Sequence, residues 1–126
     1  MRIKNNQAIL NAPFGSILLT FADGDLIKCE LSEAAVEEDL GSFVGHKAVK
    51  ALQSYLKGDI HVLDSWKPSE DGTEFRRRVW KEIAKVRAGD TVTYGQIADS
   101  LDSSPRAVGS ACGDNPLPIF VGCHRV

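Results

Sequence analysis

The sequence predicts an α+β protein in two lobes. The N-terminal lobe holds a small antiparallel sheet plus a helix, and the C-terminal lobe is mostly helical and contains a helix-turn-helix. Three observations carry this reading. An Asp23-Gly24 pair separates two strand-like apolar runs. The polar stretch Lys67-Pro68-Ser69-Glu70-Asp71-Gly72 has the composition of a linker. Beyond it, apolar residues recur at helical spacing and end in two short helical segments joined by a tight turn. The lobes are therefore expected over 1–68, as a support lobe, and 72–126.

The elements follow in order. Ile17, Leu19 and Phe21 alternate with Ser16, Leu18 and Thr20, which is the period of a strand. Asp and Gly both tolerate positive φ, so Asp23-Gly24 turns the chain, and Leu26 to Leu31 returns as the second arm of a hairpin. Val44, Ala48, Leu52 and Leu56 recur every four residues, predicting an amphipathic helix that Gly58 ends. The segment from Asp59 to Trp66 is expected to return to the sheet. Thr73 is placed to cap a helix with Phe75, Val79, Ile83 and Val86 on one face, ending at Gly89. Thr93 and Gln96 have capping-box spacing for a short helix through Leu101. Ser104 is a good N-cap, and Pro105 suits the first helical position because the N–H it lacks would go unbonded there. That helix runs to about Cys112, completing a helix-turn-helix pattern. Gly113 to Pro118 reads as a stiff turn and Ile119-Phe120-Val121 as a short buried strand, with Cys123 at its end.

Apolar residues make up 43% of the 126, enough for a globular core. No apolar run approaches the roughly 18 residues of a membrane span, and the N-terminus lacks a secretory pattern, so a cytosolic location without membrane contact is expected. Cys29, Cys112 and Cys123 are odd in number and widely spaced, which is no disulfide framework. His46, His61 and His124 are not at zinc-finger spacing, so no metal site is predicted. Net charge is -2, unevenly spread. Residues 1–73 hold seven basic and eleven acidic side chains, whereas 74–126 hold eight and six. The second part includes Arg76-Arg77-Arg78, which suits contact with phosphate but equally suits a solvated helix face. Arg106 stands at the start of the second short helix, where a recognition helix meets a groove. Gly109 sits mid-helix at a cost of about 1 kcal/mol relative to Ala. Close approach to another surface explains it, and so does packing against the preceding helix.

Four ordered motifs carry a resemblance. Tyr94-Gly-Gln-Ile-Ala, Pro105-Arg-Ala-Val-Gly-Ser-Ala, Asn115-Pro-Leu-Pro-Ile-Phe-Val and Cys123-His-Arg-Val resemble the O6-alkylguanine-DNA alkyltransferases, the methylated-DNA–protein-cysteine methyltransferases. The resemblance covers residues 75 to 126 well, and the N-terminal lobe matches in size and element order. It implies a DNA repair protein, monomeric and without cofactor, acting on duplex DNA that contains O6-alkylguanine or O4-alkylthymine. A sulfur cannot reach the alkyl carbon within the base stack, so the nucleotide must be extruded. By resemblance, the helix from Pro105 enters the minor groove and Arg106 fills the vacated place. The small residues Ala107, Gly109 and Ala111 let that helix lie close to the sugar-phosphate edge, Tyr94, Gly95 and Ser110 complete the DNA-binding set, and Tyr94 helps rotate the nucleotide and lines the pocket. Asn115 braces the turn before the active site. Cys123 takes the alkyl group once and irreversibly, and His124 draws off its proton through a water.

Two departures stand out. Gly122 occupies a position where the family has Pro, which loosens the backbone that aims the sulfur. A Gly122→Pro variant is expected to transfer faster. The family also continues past Val126 with a Gly-rich loop and a final helix carrying a Glu that orients the His; neither is in this sequence, and lowered activity is expected in consequence. Two other functions fit parts of the pattern. An alkyltransferase-like module binds lesions without transfer, but such proteins replace the cysteine that this chain keeps. A helix-turn-helix regulator would bind undamaged DNA with sequence preference and a salt dependence.

Overall fold

The structure, a computed structural model, describes residues 3–64 and 66–122. Its elements are β1 (Gln7–Ala12), β2 (Gly15–Ala22), β3 (Asp25–Ser32), a 3-10 turn at Gly41–Phe43, α1 (Lys47–Leu56), α2 (Glu74–Ala84), α3 (Tyr94–Leu101) and α4 (Pro105–Gly113). They fall into two compact units, Met1–Val62 and Leu63–Val126.

The first unit is built on an antiparallel sheet of order β1-β2-β3. Leu19 pairs with Ala8 on one side and Cys29 on the other, and a bulge at Thr20/Phe21 shifts the β2–β3 register. Asp23 and Gly24 both take positive φ, 50° and 80°, as the tight turn requires. Ile17, Leu19 and Phe21 are buried, as their alternation predicts. β1 has no alternating pattern that marks it as a strand in the sequence. Its buried run Ala8-Ile9-Leu10 is bonded to β2 on one side and, through Ile9, to Asp39 on the other.

α1 begins later than the four-residue repeat suggests. Val44 is exposed and outside the helix, and His46 is the N-cap. Its Nδ1 accepts from the Ala48 N–H at 3.0 Å, so Nε2 carries the proton and donates to the Gly24 carbonyl at 2.6 Å. The Phe43 ring stacks on Phe21, centroids 4.0 Å apart, with His46 tilted against Phe21. Ala48, Val49 and Leu52 form the buried stripe, and Gly58 (φ 113°) follows the helix end. Residues 60–64 are turns and not a returning strand, and Ile60 is exposed.

In the second unit α2, α3 and α4 pack on one another. Leu63, Asp64 and Trp66 belong to it because Leu63 is buried, Trp66 packs on Phe120 at 4.9 Å, and Asp64 accepts from the Ala88 N–H and the Arg87 guanidinium. α2 is capped by Thr73, whose hydroxyl accepts from the Arg76 N–H. It ends at Ala84, short of the expected end at Gly89. Trp80 is fully buried, and its indole N–H donates to the Ala111 carbonyl at 2.9 Å, tying α2 to α4. Gly72 makes room for that indole, since a Cβ there would stand 2.8 Å from the ring.

The capping box of α3 is complete. Thr93 Oγ1 accepts from the Gln96 N–H, and Gln96 Oε1 from the Thr93 N–H. Asp102 ends α3 in the left-handed region, which Asp tolerates, and the Ser103 N–H reaches back to the Ala98 carbonyl. Two residues later Ser104 caps α4 by accepting from the Ala107 N–H. The turn between the helices is therefore set by local side chains, which fixes how α4 is presented.

Candidate nucleic-acid interface

Helical spacing divides α4 into two faces. Val108, Ala111 and Cys112 are buried against the unit, so Ala111 packs inward and is not on the face that the resemblance assigns to DNA. Arg106 and Ser110 are exposed, and Ala107 and Gly109 are half-buried. Residues 106, 109 and 110 stand three and four apart, so they share the outward face. Arg106 sits in the first turn and has no acidic partner among the described residues. Its guanidinium is left available to a ligand.

Tyr94 is the first residue of α3 and is 42% exposed. Its ring lies over Gly109: a Cβ built on Gly109 would be 3.4, 3.7 and 3.8 Å from three ring carbons. Packing against the preceding helix is therefore one reason for the mid-helix glycine. Tyr94, Gly95, Arg106, Ala107, Gly109 and Ser110 are thus borne by the two helices of the helix-turn-helix, with Tyr94 meeting the outward face of α4 at Gly109. The arginine triplet is not a uniform basic patch. Consecutive helical residues point in different directions. Arg76 pairs with Asp114 at 2.9 Å, Arg77 is half-buried, and only Arg78 is exposed. The Arg76–Asp114 pair also joins the first turn of α2 to the end of α4.

Past α4 the chain enters a clasped loop. Asn115 Nδ2 donates to the Val121 carbonyl and Asn115 Oδ1 accepts from the Leu117 N–H, both at 3.1 Å. The Val121 N–H closes the loop onto the Leu117 carbonyl at 2.9 Å. Leu117, Phe120 and Val121 are buried. Residues 118–120 form a turn, not the short strand the apolar run suggests. Its middle residue is Ile119 at φ 74°, a conformation that costs a β-branched side chain about 1–3 kcal/mol. The clasp and the packing of its neighbours hold it there. Gly122, buried, is the last described residue. Cys123 and His124 lie outside the described residues.

The other cysteines, Cys29 and Cys112, are buried. Burial, and secondarily the Glu30 carboxylate, pushes the Cys29 thiol up to about 12, so it holds its proton and is inert as a nucleophile. No group of three or more potential metal ligands occurs among the described residues, and no helix among them is long and apolar enough to cross a membrane.

Comparison with known proteins agrees with these motifs. Residues 74–126 match the family described as 6-O-methylguanine DNA methyltransferase, DNA binding domain. A methylated-DNA–protein-cysteine methyltransferase of Metallosphaera sedula is 38% identical over 91% of this chain and 74% of its own length. The crystal structure of Mycobacterium tuberculosis O6-methylguanine methyltransferase superposes with a TM-score of 0.75 at 30% identity, covering 96% of this chain and 77% of that one. The Mycobacterium tuberculosis OGT in complex with DNA gives a TM-score of 0.68 at 32% identity, over 95% and 77%. With identity at this level running through both units and not only the helix-turn-helix, the chain belongs to the methylated-DNA–protein-cysteine methyltransferase family.

Proposed function

We propose that this chain is a single-turnover DNA repair protein that extrudes O6-alkylguanine, and O4-alkylthymine, from duplex DNA and moves the alkyl group onto its own Cys123. The observation that carries the reading is the run from an exposed arginine on a capped helix, through the Asn115 clasp, to the residue before a cysteine. Recognition and the nucleophile are then joined by one short, braced piece of chain.

The outward face of α4 lies in the minor groove, where Ala107, Gly109 and Ser110 bring the helix close to the strands. Arg106 takes the place of the extruded base and offsets part of the unstacking cost, a few kcal/mol. Tyr94 and Gly95 stand beside the rotated nucleotide. A free thiol is only a few per cent ionised at pH 7, so His124 takes the Cys123 proton through a water. The thiolate attacks the alkyl carbon in line. The carbon–sulfur bond forms, the carbon–oxygen bond breaks, and the electron pair leaves with the purine, which takes up a proton. The thioether is not hydrolysed, so one chain acts once, as a monomer.

The test is mass spectrometry of the chain after mixing with a duplex carrying one O6-methylguanine. One added methyl on the peptide containing Cys123, absent with undamaged duplex, is expected. Tight lesion binding with no mass gain would replace this reading with a lesion-binding module, and equal affinity for undamaged DNA of a preferred sequence would replace it with a regulator.

A further inference from the structure

We infer that Gly109 is a positioning residue for Tyr94, holding the tyrosine ring against α4 at the height from which it meets the extruded nucleotide. The inference rests on the proposed function and adds a residue that acts through another. Mid-helix glycine works against α4, yet nothing in the backbone there demands it, because Gly109 has no positive φ. What fills the space above it is the Tyr94 ring. The nearest ring carbon is 3.4 Å from where a Cβ would stand, so alanine touches the ring at the limit of ordinary contact and any γ atom must displace it. Tyr94 is otherwise 42% exposed, with its backbone fixed by the Thr93–Gln96 box. Its ring height is therefore set from one side, by the absence of a side chain at 109.

Gly113 supplies the control. It is the last residue of the same helix, and a Cβ there meets nothing within 4 Å. Both Gly→Ala changes raise helix propensity, so both leave the thermal midpoint unchanged or higher. Only the change at 109 touches the ring. The chain has two tyrosines, Tyr55 and Tyr94, so ring-labelled tyrosine gives two sets of resonances, assigned with Tyr55→Phe. The Tyr94 resonances move in Gly109→Ala, move further in Gly109→Leu, and stay in place in Gly113→Ala. Methyl transfer from an O6-methylguanine duplex at saturating concentration falls about 3-fold for Gly109→Ala and about 100-fold for Gly109→Leu, as expected for shifts of a few tenths of an ångström and about 1 Å. Gly109 also faces the strands, so the rates are compared at saturating duplex and the ring resonances are read in the free chain, where DNA contact plays no part. With the ring removed by Tyr94→Ala, Gly109→Leu adds no further loss.

Unmoved Tyr94 resonances in Gly109→Leu would overturn the inference. So would a loss of transfer at saturating duplex that is as large in the Tyr94→Ala background as with the ring present, since Gly109 would then act on the DNA alone and not through Tyr94. A wild-type chain that transfers no methyl overturns the proposed function, and the ring resonances then still decide the geometric claim.

Discussion

Removing the Asn115 side chain should loosen the loop before Cys123 by an amount that the geometry sets. Asn115→Ala deletes the bond to the Val121 carbonyl and the bond from the Leu117 N–H. Each is worth about 1 kcal/mol net. Val121 is fully buried, so its carbonyl loses a partner where water cannot replace it, adding about 1–3 kcal/mol. Part of that returns when Ile119 leaves φ 74°. The expected net cost is about 2–4 kcal/mol, a large share of a domain stability of about 5–15 kcal/mol. Asn115→Asp separates the two bonds. Its carboxylate still accepts from Leu117 but faces the Val121 carbonyl with a second acceptor. Urea unfolding measures the total, and amide exchange at Leu117 reads the loop. Leu117 should stay protected in Asn115→Asp and lose protection in Asn115→Ala. A cost under about 0.5 kcal/mol for Asn115→Ala, with Leu117 protection unchanged, would refute the clasp as the brace.

Three further outcomes are expected. Gly72→Ala pushes a methyl into the fully buried Trp80 ring and should destabilise by about 1–3 kcal/mol in urea unfolding, although alanine in an open loop would be neutral or stabilising. Cys29 keeps its proton up to about 12 when folded and loses it near 9 when unfolded. Its contribution is therefore flat below pH 9, and stability falls by up to about 1.4 kcal/mol per unit as pH rises from 9 towards 12, a slope absent in Cys29→Ala. Arg106→Ala should leave affinity for undamaged duplex within a few-fold yet slow methyl transfer by roughly 30-fold, the equivalent of about 2 kcal/mol of lost support for the extruded state. Arg106→Lys should recover only part of the rate, because an ammonium lacks the planar group that fills the stack.

Local chemistry was readable where a residue and its neighbours in sequence decide the outcome. The Asp23-Gly24 turn, the Thr73 and Ser104 caps, the Thr93–Gln96 box and Pro105 all act within four residues, and each stands where its side chain predicts. What escaped depends on partners far along the chain. β1 is short and has no alternation, and its strand character comes from Ile17 to Thr20 and from Asp39. His46 caps α1 while held by Gly24, 22 residues earlier, so the four-residue repeat starting at Val44 overran the true start. Ile119-Phe120-Val121 has the composition of a strand, but its burial comes from Phe120 on Trp66 and from the loop's own bonds. A β-branched residue at positive φ gives no sequence signal, because the type argues against the conformation. Gly109 is the mixed case: its oddity was visible in sequence, and only the fold brings Tyr94 over it.

The central claim is that one sulfur accepts one alkyl group. Titrating a fixed amount of the chain with increasing O6-methylguanine duplex, labelled in the methyl carbon, and digesting the product counts methyls per chain and assigns them. The label should saturate at one per chain, all on the peptide containing Cys123, with none on buried Cys29 or Cys112. Label that keeps accumulating as free product, or that settles on either buried cysteine, would contradict it.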